Sequence, residues 1–582
     1  MEKERNFGYS KRKKKIGGVS MKRLLSKGIT LLCLLVIAGI YYYIALPAIN
    51  IHSVGFWLFF IVLFSILLLV YSQRYRTKKA QGKKLKQDPI FKIGNLLIGI
   101  LLLVFIIGGV LSSPIINAKK YQQLLTVETR EFTDDIKQVS FDKIPLLDKD
   151  SASIIGNRKM GSMVDYASQF EVSDYYTQIN YQDSPVRVSP LRYASPIKWL
   201  TNQSDGIPAY MKIDMATQTA ECVKLENGSI KYSPFEYLNR NLYRHLRFKY
   251  PTYIFDNISF ELDENGTPYW TCSVKKFNIG LFGGETVGRL VICNAITGET
   301  IDYAVEDVPQ WVDHVYAADT LLNLYDYYGT LKHGFLNSVL GQKDCLKTTE
   351  GYNYIALDDD VWLYTGITSV TSDESNVGFV LMNQRTKETR YYAVTGAKEV
   401  SAMSSAEGQV QHLGYTATFP LLLNIGNEPT YFLALKDGAG LVKKYAMVNV
   451  QKYQVVAIGD TVSECQKQYI SLMKENGINN EIDTEHLKKT TGVIQTMTQA
   501  VIDGNSHYYI VLKGSDEIFD IAVSDNIKIV RYQEEDTITF EYTEGENQIH
   551  TVVLIDGEVI KIDSNANDDF DDSLIDENPS NG

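Results

Sequence analysis

The chain has 582 residues, 45% of them hydrophobic, and a formal net charge of −11, which is length enough for several compact domains at about 100–200 residues each. That charge is divided: residues 1–112 hold 18 Lys and Arg against 3 acids, whereas the remainder holds 40 against 66. The acidic balance of the longer part argues against nucleic acid as a partner, since phosphate recognition needs clustered cations, and fits plain solubility, divalent cations or cationic envelope polymers.

Three apolar runs open the chain, Ile29 to Leu46, Val54 to Tyr71 and Ile93 to Leu111, each free of Asp, Glu, Lys and Arg. Each is close to the ~20 residues a helix needs to cross a bilayer, so the pattern predicts three transmembrane helices over 29–112. Ten basic residues lie in the 1–28 segment against Glu2 and Glu4, and eight more lie between Arg74 and Lys92 against Asp88 alone. The Pro47 to Ser53 connection has no formal charge. By the excess of Lys and Arg on cytoplasmic segments, the N-terminus and the 72–92 loop stay inside, and everything after the third run faces out. Tyr41 to Tyr43, Phe56 and Trp57 fall at the outer interface, where amphipathic rings prefer to sit. Gly39 to Leu46 contains no small-x-small cleavage pattern, and two more runs follow, which argues against a cleaved signal peptide. Cys33 follows Leu31 and Leu32, an apolar helix position rather than a lipidation site.

Residues 113–153 are expected as a polar stalk, Ile115 to Thr126, and a linker, Val127 to Asp150. An α+β region is expected over 154–310. It begins with helical spacing from Asn157 to Phe170, followed by alternation from Tyr176 to Ile213 punctuated by Pro185, Pro190, Pro196 and Pro208, the pattern of short strands and turns. Ser233-Pro234-Phe235-Glu236 has the form of a capping box and predicts a helix from Pro234 to about Phe248. Ser259 to Leu262 and Tyr269 to Val274 then alternate around Asp263-Glu264-Asn265-Gly266, a hairpin turn. A further strand from Val287 to Asn294 continues past Thr297-Gly298 into Thr300 to Val305.

A second α+β domain is expected over 311–476. Val377 to Met382, Thr389 to Val394, Leu421 to Ile425 and Thr430 to Leu435 read as buried strands, and Val462 to Glu475 as an amphipathic helix. Gly438 and Gly440 sit in a hairpin turn, since the Lys-Ser/Thr ending of a phosphate loop is missing. After a polar break from Asn476 to Thr490, the runs Gly492 to Val501, Ser506 to Leu512, Ile527 to Tyr532, Asp536 to Tyr542 and Ile549 to Ile555 predict a small β-barrel of OB or SH3-like type over 491–562. Its acidic stretches, Glu534 to Asp536 and Glu541 to Glu546, do not suit an oligonucleotide groove. Residues 563–582 read as a disordered acidic tail.

No hydrolase, phosphate-loop or zinc motif occurs, and no two His lie within five positions of one another. Asp358-Asp359-Asp360 offers carboxylates to a cation, but adjacent residues on an extended chain point to alternate faces. Asp563 to Asn567 begins like a calcium loop and fails at Asp568 and Leu574, where Gly and Glu are required. Cys222, Cys272, Cys293, Cys345 and Cys465 are widely spaced and odd in number, which is neither a disulfide framework nor a metal site. No catalytic, cofactor-binding or metal residue, and no cofactor, is assigned.

The helix ending in Lys249-Tyr250-Pro251, the strand after Asn265-Gly266 and the ending Asn294-Ala295-Ile296-Thr297-Gly298-Glu299 together resemble a PepSY module over 232–305, with Asn294 where that family has an acid. The resemblance implies an extracytoplasmic binding module and no catalytic residue. The segments Ala402 to Tyr415 and Tyr431 to Lys443 resemble Gram-positive multi-span membrane proteins sometimes labelled CvpA-like, for colicin V production, with a likeness spanning Ile144 to Gly477. That resemblance implies N-terminal spans with a large outer domain and no activity. The expectation is three transmembrane helices followed by a multi-domain α+β extracytoplasmic region ending in a small barrel. Such a chain would be a non-enzymatic, membrane-anchored binding or scaffold protein contacting envelope proteins or polymers; the alternative is an envelope hydrolase or peptidase with an unrecognised site.

Overall fold

A computed structural model describes Leu32 and residues 35–80, 89–137, 144–357, 359–370, 375–478 and 488–555, apart from 503–504, 524–525, 544 and 546–548. It divides into two units, residues 1–480 and 481–582.

Two helices in the first unit, Val54–Ala80 and Pro89–Ser112, contain stretches of 20 and 21 residues that are long and apolar enough to cross a membrane, Val54–Gln73 and Lys92–Ser112. Almost none of the side chains in these two stretches is buried, 6% in the first and 0% in the second. The first predicted run is represented by a shorter apolar helix, Leu35–Ala45. Most of its N-terminal part lies outside the described residues, so three spans are not established among them.

The ends of these helices are fastened to the folded body by the hairpin formed by Pro268–Ile279 and Gly283–Asn294. Ser112 Oγ accepts hydrogen bonds from the Leu281 and Phe282 amides at 2.7 and 3.0 Å. His52 Nδ1 donates to the Leu281 carbonyl at 2.7 Å, and the Phe282 ring packs against Trp57 and Phe105. The approach is close enough that a Cβ on Gly280, which has φ +61°, would stand 2.5 Å from Ser112 Oγ. On the other flank, Arg247 Nε donates to the Leu46 carbonyl at 2.9 Å, and the Arg244 guanidinium lies 4.2 Å over the Tyr43 ring.

Among the described residues, four sheets make up the body. A five-stranded sheet carries the hairpin Thr177–Tyr181/Ser184–Tyr193 together with Ala209–Asp214 and Ala220–Lys224. The helix Leu242–Lys249 precedes a four-stranded antiparallel meander, Phe255–Leu262, Pro268–Ile279, Gly283–Asn294 and Thr300–Ala304. One core joins these two sheets through Val188, Met211, Leu246, Phe260 and Trp270. The meander's other face shares a second core with the helix Ala318–Thr330 and a seven-stranded sheet, where Leu290 and Ile292 meet Leu324, Leu363 and Val380. The third core lies between that sheet, the sheet containing Leu421–Ile425 and Glu428–Lys436, and the helices Glu399–Gln409 and Val462–Glu475. In the second unit, Lys488–Ile502, Asn505–Leu512, Ile518–Ala522, Ile549–Ile555 and Thr537–Thr543 pair in that order and the last returns to the first, enclosing Ile494, Ile510, Phe519, Ile538 and Phe540.

Several expectations are corrected. The helix predicted to start at Pro234 starts at Leu242: the Ser233 hydroxyl accepts only from Phe235 N, Leu238 has φ +50°, and the Asn241 side chain caps Arg244 N instead. Glu236 does not close a capping box, because its carboxylate is buried against the Trp199 indole, which donates to it at 2.5 Å. The helix predicted from Asn157 begins at Lys149, where Asp148 accepts from Ser151 N, and ends at Gly161. The stalk is no free spacer: its helix, Pro114–Gln122, departs from helical geometry at Asn117 and buries Tyr121. Within the expected linker, Glu128–Arg130 pairs in parallel with Thr389–Tyr392. In the second unit Ile527 to Tyr532 is a 3₁₀ turn, with Ile529 its buried residue, and the strand lies instead at Ile518–Ala522. The basic 1–28 segment, Cys33, Asp358, the Asp563 to Asn567 run and the 563–582 tail lie outside the described residues.

Candidate binding cleft

The hairpin Thr177–Tyr181/Ser184–Tyr193 turns through Gln182 and Asp183, with φ of +53° and +59°, the mirror-image geometry that matches strand twist in a two-residue connection. Asn180 pairs with Pro185 and Gln178 with Arg187, so with side chains alternating at period two these four share one face. That face meets the strand Asn353–Leu357 and the strand Leu421–Ile425. The result is a cleft of about 160 Å³ with an apolar floor of Ile144, Ile355, Leu357, Leu421 and Leu423, and a lip carrying Asn180, Asp183 and Asp359. The volume is below the ~300 Å³ at which small-molecule sites begin; it is the scale of one large apolar side chain.

A polar chain runs from the exposed lip into the buried interior. Asn180 Nδ2 donates to Asp359 Oδ1 at 3.0 Å and Asn180 N to Asp313 Oδ2 at 2.8 Å. Asp313 N donates in turn to Glu261 Oε2 at 2.7 Å, and the Thr271 hydroxyl to the other oxygen of Glu261. Burial, reinforced by the neighbouring Glu261 carboxylate, holds the Asp313 carboxyl well above its usual range. His314 Nε2 donates to the Gln178 carbonyl at 2.6 Å. Arg187 is buried with one amide partner, Gln178 Oε1 at 3.1 Å, and its Nε has no acceptor among the described residues; burial pushes its pKa down.

Asp359 and Asp360, the described residues of the Asp358 to Asp360 run, do not act together. Asp359 is an exposed lip residue with φ +63°, whereas Asp360 is buried and bound by both Nε and Nη2 of Arg385 at 2.6 and 2.8 Å, with Asn383 Nδ2 at 2.7 Å. Asp437, ahead of Gly438 and Gly440, accepts from the Ala439 and Leu441 amides, a turn stabilised by its own side chain. The described cysteines are free; Cys272 pairs with Val291 and Cys293 with Trp270, so the two thiols sit diagonally. Among the described residues no group of three or more His, Cys, Asp or Glu could hold a metal ion.

Asn180, Asp183, Asp313, Glu261 and Arg187 carry no local motif. Only the long-range packing that brings positions 180, 313 and 359 together reveals them. No protein-family model matches this chain, and neither does any curated protein. The PepSY-like and CvpA-like readings therefore rest on sequence motifs alone.

Proposed function

We propose that this chain is a membrane-anchored binding or scaffold protein of the cell envelope. Its folded body stands on the outer face of the membrane, and its cleft takes a single apolar side chain from an envelope partner. The observation that carries this reading is the fastening of the body to one end of the helical region: Ser112 at the close of one apolar stretch and His52 in the loop before the other both bind the same hairpin turn at Leu281 and Phe282. Both helices therefore meet the body at the end away from the basic 74–92 connection, the end that the charge pattern puts outside. A body gripped at three points presents its cleft at a fixed height above the bilayer, which suits holding a partner. In this reading residues 232–305 act as a PepSY-like binding module, and the C-terminal strands as an OB or SH3-like contact module.

The hydrolase alternative would have to run on the carboxylates of Asp183 and Asp359, since the cleft's lining among the described residues holds no Ser, Thr, Cys or His. The test is a photo-crosslinking residue at Asp183 in intact cells, with protease accessibility of a C-terminal tag read on the same cells. Capture of envelope proteins through position 183, lost on Leu423→Asp, together with external cleavage of the tag, supports the reading. A tag protected in sealed cells overturns the topology, and capture unaffected by Leu423→Asp overturns the cleft.

A further inference from the structure

We propose that the turn Gly334–Gly341 is an interfacial anchor, dipping its apolar face into the same bilayer that the two long helices cross. The inference rests on the membrane-spanning reading of those helices and adds a contact that no span supplies.

Position is the first support. Phe335 packs against a small core of Tyr121, Ile279 and Leu331. Ile279 opens the turn whose Leu281 and Phe282 amides bind Ser112 Oγ, and the Tyr121 hydroxyl donates to the Ser112 carbonyl at 2.7 Å. Ser112 ends an apolar membrane-length stretch, so the 334–341 turn is one packing layer from the point where the chain leaves the membrane.

Its surface is the second. Leu336, Val339 and Leu340, on the π turn Asn337–Gly341 and the residue before it, are 73%, 56% and 80% exposed. Exposed apolar side chains clustered within five residues of a folded body mark an interaction surface. The turn is also held in shape. Asn337 Nδ2 donates to the Lys343 carbonyl at 2.9 Å, Lys343 N returns a bond to Asn337 Oδ1 at 3.2 Å, and the Ser338 hydroxyl donates to the Phe335 carbonyl at 2.7 Å. These bonds tie the backbone with Phe335 packed inward and Leu336, Val339 and Leu340 standing outward.

Charge names the occupant. Lys332 and Lys343 flank the turn, and Lys119 and Lys120 lie on the helix that buries Tyr121. Apolar side chains rimmed by lysines whose long stems reach the headgroup phosphates fit the boundary between acyl chains and headgroups.

The test uses the full-length chain with Cys33 and Cys222 replaced by Ser, labelled with an environment-sensitive NBD fluorophore and placed in nanodiscs containing phosphatidylglycerol. Label at Leu340→Cys is compared with label at Ile100→Cys, inside an apolar stretch, and at Gln411→Cys, on the exposed surface of the body. The expected result is a blue-shifted emission at position 340, quenched by doxyl-labelled lipid as at position 100, with position 411 unshifted and unquenched. Position 340 behaving like 411 while 100 is quenched overturns the anchor and leaves the spans standing. A blue shift at 340 without lipid quenching overturns it in favour of a protein contact, either a second copy or another partner. Loss of quenching at position 100 itself overturns the spanning reading beneath the proposal.

Discussion

Gly108 lies directly against Leu281: a Cβ built on Gly108 would stand 2.7 Å from Leu281 Cδ2 and 3.3 Å from its Cβ. A residue without a side chain inside an apolar helix is thus the seat for the tip of a hairpin whose strands run through the centre of the four-stranded meander. The contact ties this apolar helix to a core rather than to a loose loop.

Gly108→Val should loosen this seat, because overpacking a fitted contact costs about 1–3 kcal/mol. At the adjacent Gly109 a Cβ would meet no described atom within 4 Å, so Gly109→Val is expected to be close to neutral, within about 0.5 kcal/mol. Thermal unfolding of the two variants in the same detergent checks the difference; equal melting temperatures would show that the seat is not sensitive to volume.

Ser112→Ala removes the acceptor shared by the half-buried Leu281 and Phe282 amides, and the loss of such bonds costs about 0.5–1.5 kcal/mol each. The matching change at Ser113, whose hydroxyl bonds to the Val110 carbonyl one turn back, should have little effect. Hydrogen exchange at residues 281 and 282 should accelerate in Ser112→Ala and stay unchanged in Ser113→Ala.

Glu236 makes stability fall as pH rises. Burial lifts its pKa from an ordinary 4.5 to about 7, against the opposing pull of the Trp199 hydrogen bond and of Arg240. Between those two values the folded state holds a proton that the unfolded chain has released. Its contribution is therefore fully present below about 4.5 and is lost as pH climbs through about 7. At 1.36 kcal/mol per pKa unit the span is on the order of 3 kcal/mol. Glu236→Gln keeps an acceptor for the Trp199 indole, so the variant should gain that amount relative to the parent between pH 4.5 and 7, by denaturant titration at each pH. A stability difference independent of pH would refute the assignment.

Arg385→Met strands Asp360, which keeps Asn383 as a side-chain partner. Removing one member of a buried ion pair costs about 3–5 kcal/mol, and the partial exposure of Arg385 puts the expected loss at the lower end. Asp183→Asn, at the cleft lip, should leave stability unchanged. Urea unfolding midpoints with a common slope separate the two.

The sequence by itself determined whatever depends on neighbours a few positions apart. The charge-free runs near Val54 and Ile93, the helix Val462–Glu475, the strands at Leu421–Ile425 and Ser375–Asn383, and the turns at Gly266 and Asp437 all follow from periodicity, caps and turn chemistry acting within a dozen residues. Tertiary structure decided the rest. Ser233-Pro234-Phe235-Glu236 has every local feature of a helix start, yet Trp199, 37 residues away, takes the Glu236 carboxylate and moves the cap to Asn241. The polar stretch after Ser112 looks like a spacer until Tyr121 is buried against Tyr327. The cleft is the extreme case, since Asn180, Asp313 and Asp359 meet only because separate sheets pack on one another. Local propensities are worth tenths of a kcal/mol per residue, whereas burying one large apolar or aromatic side chain is worth about 1.5–3 kcal/mol and leaving one buried charge without its partner costs about 3–5 kcal/mol. Where the two disagree, the packing partner sets the outcome, and that partner is not written in the neighbouring sequence.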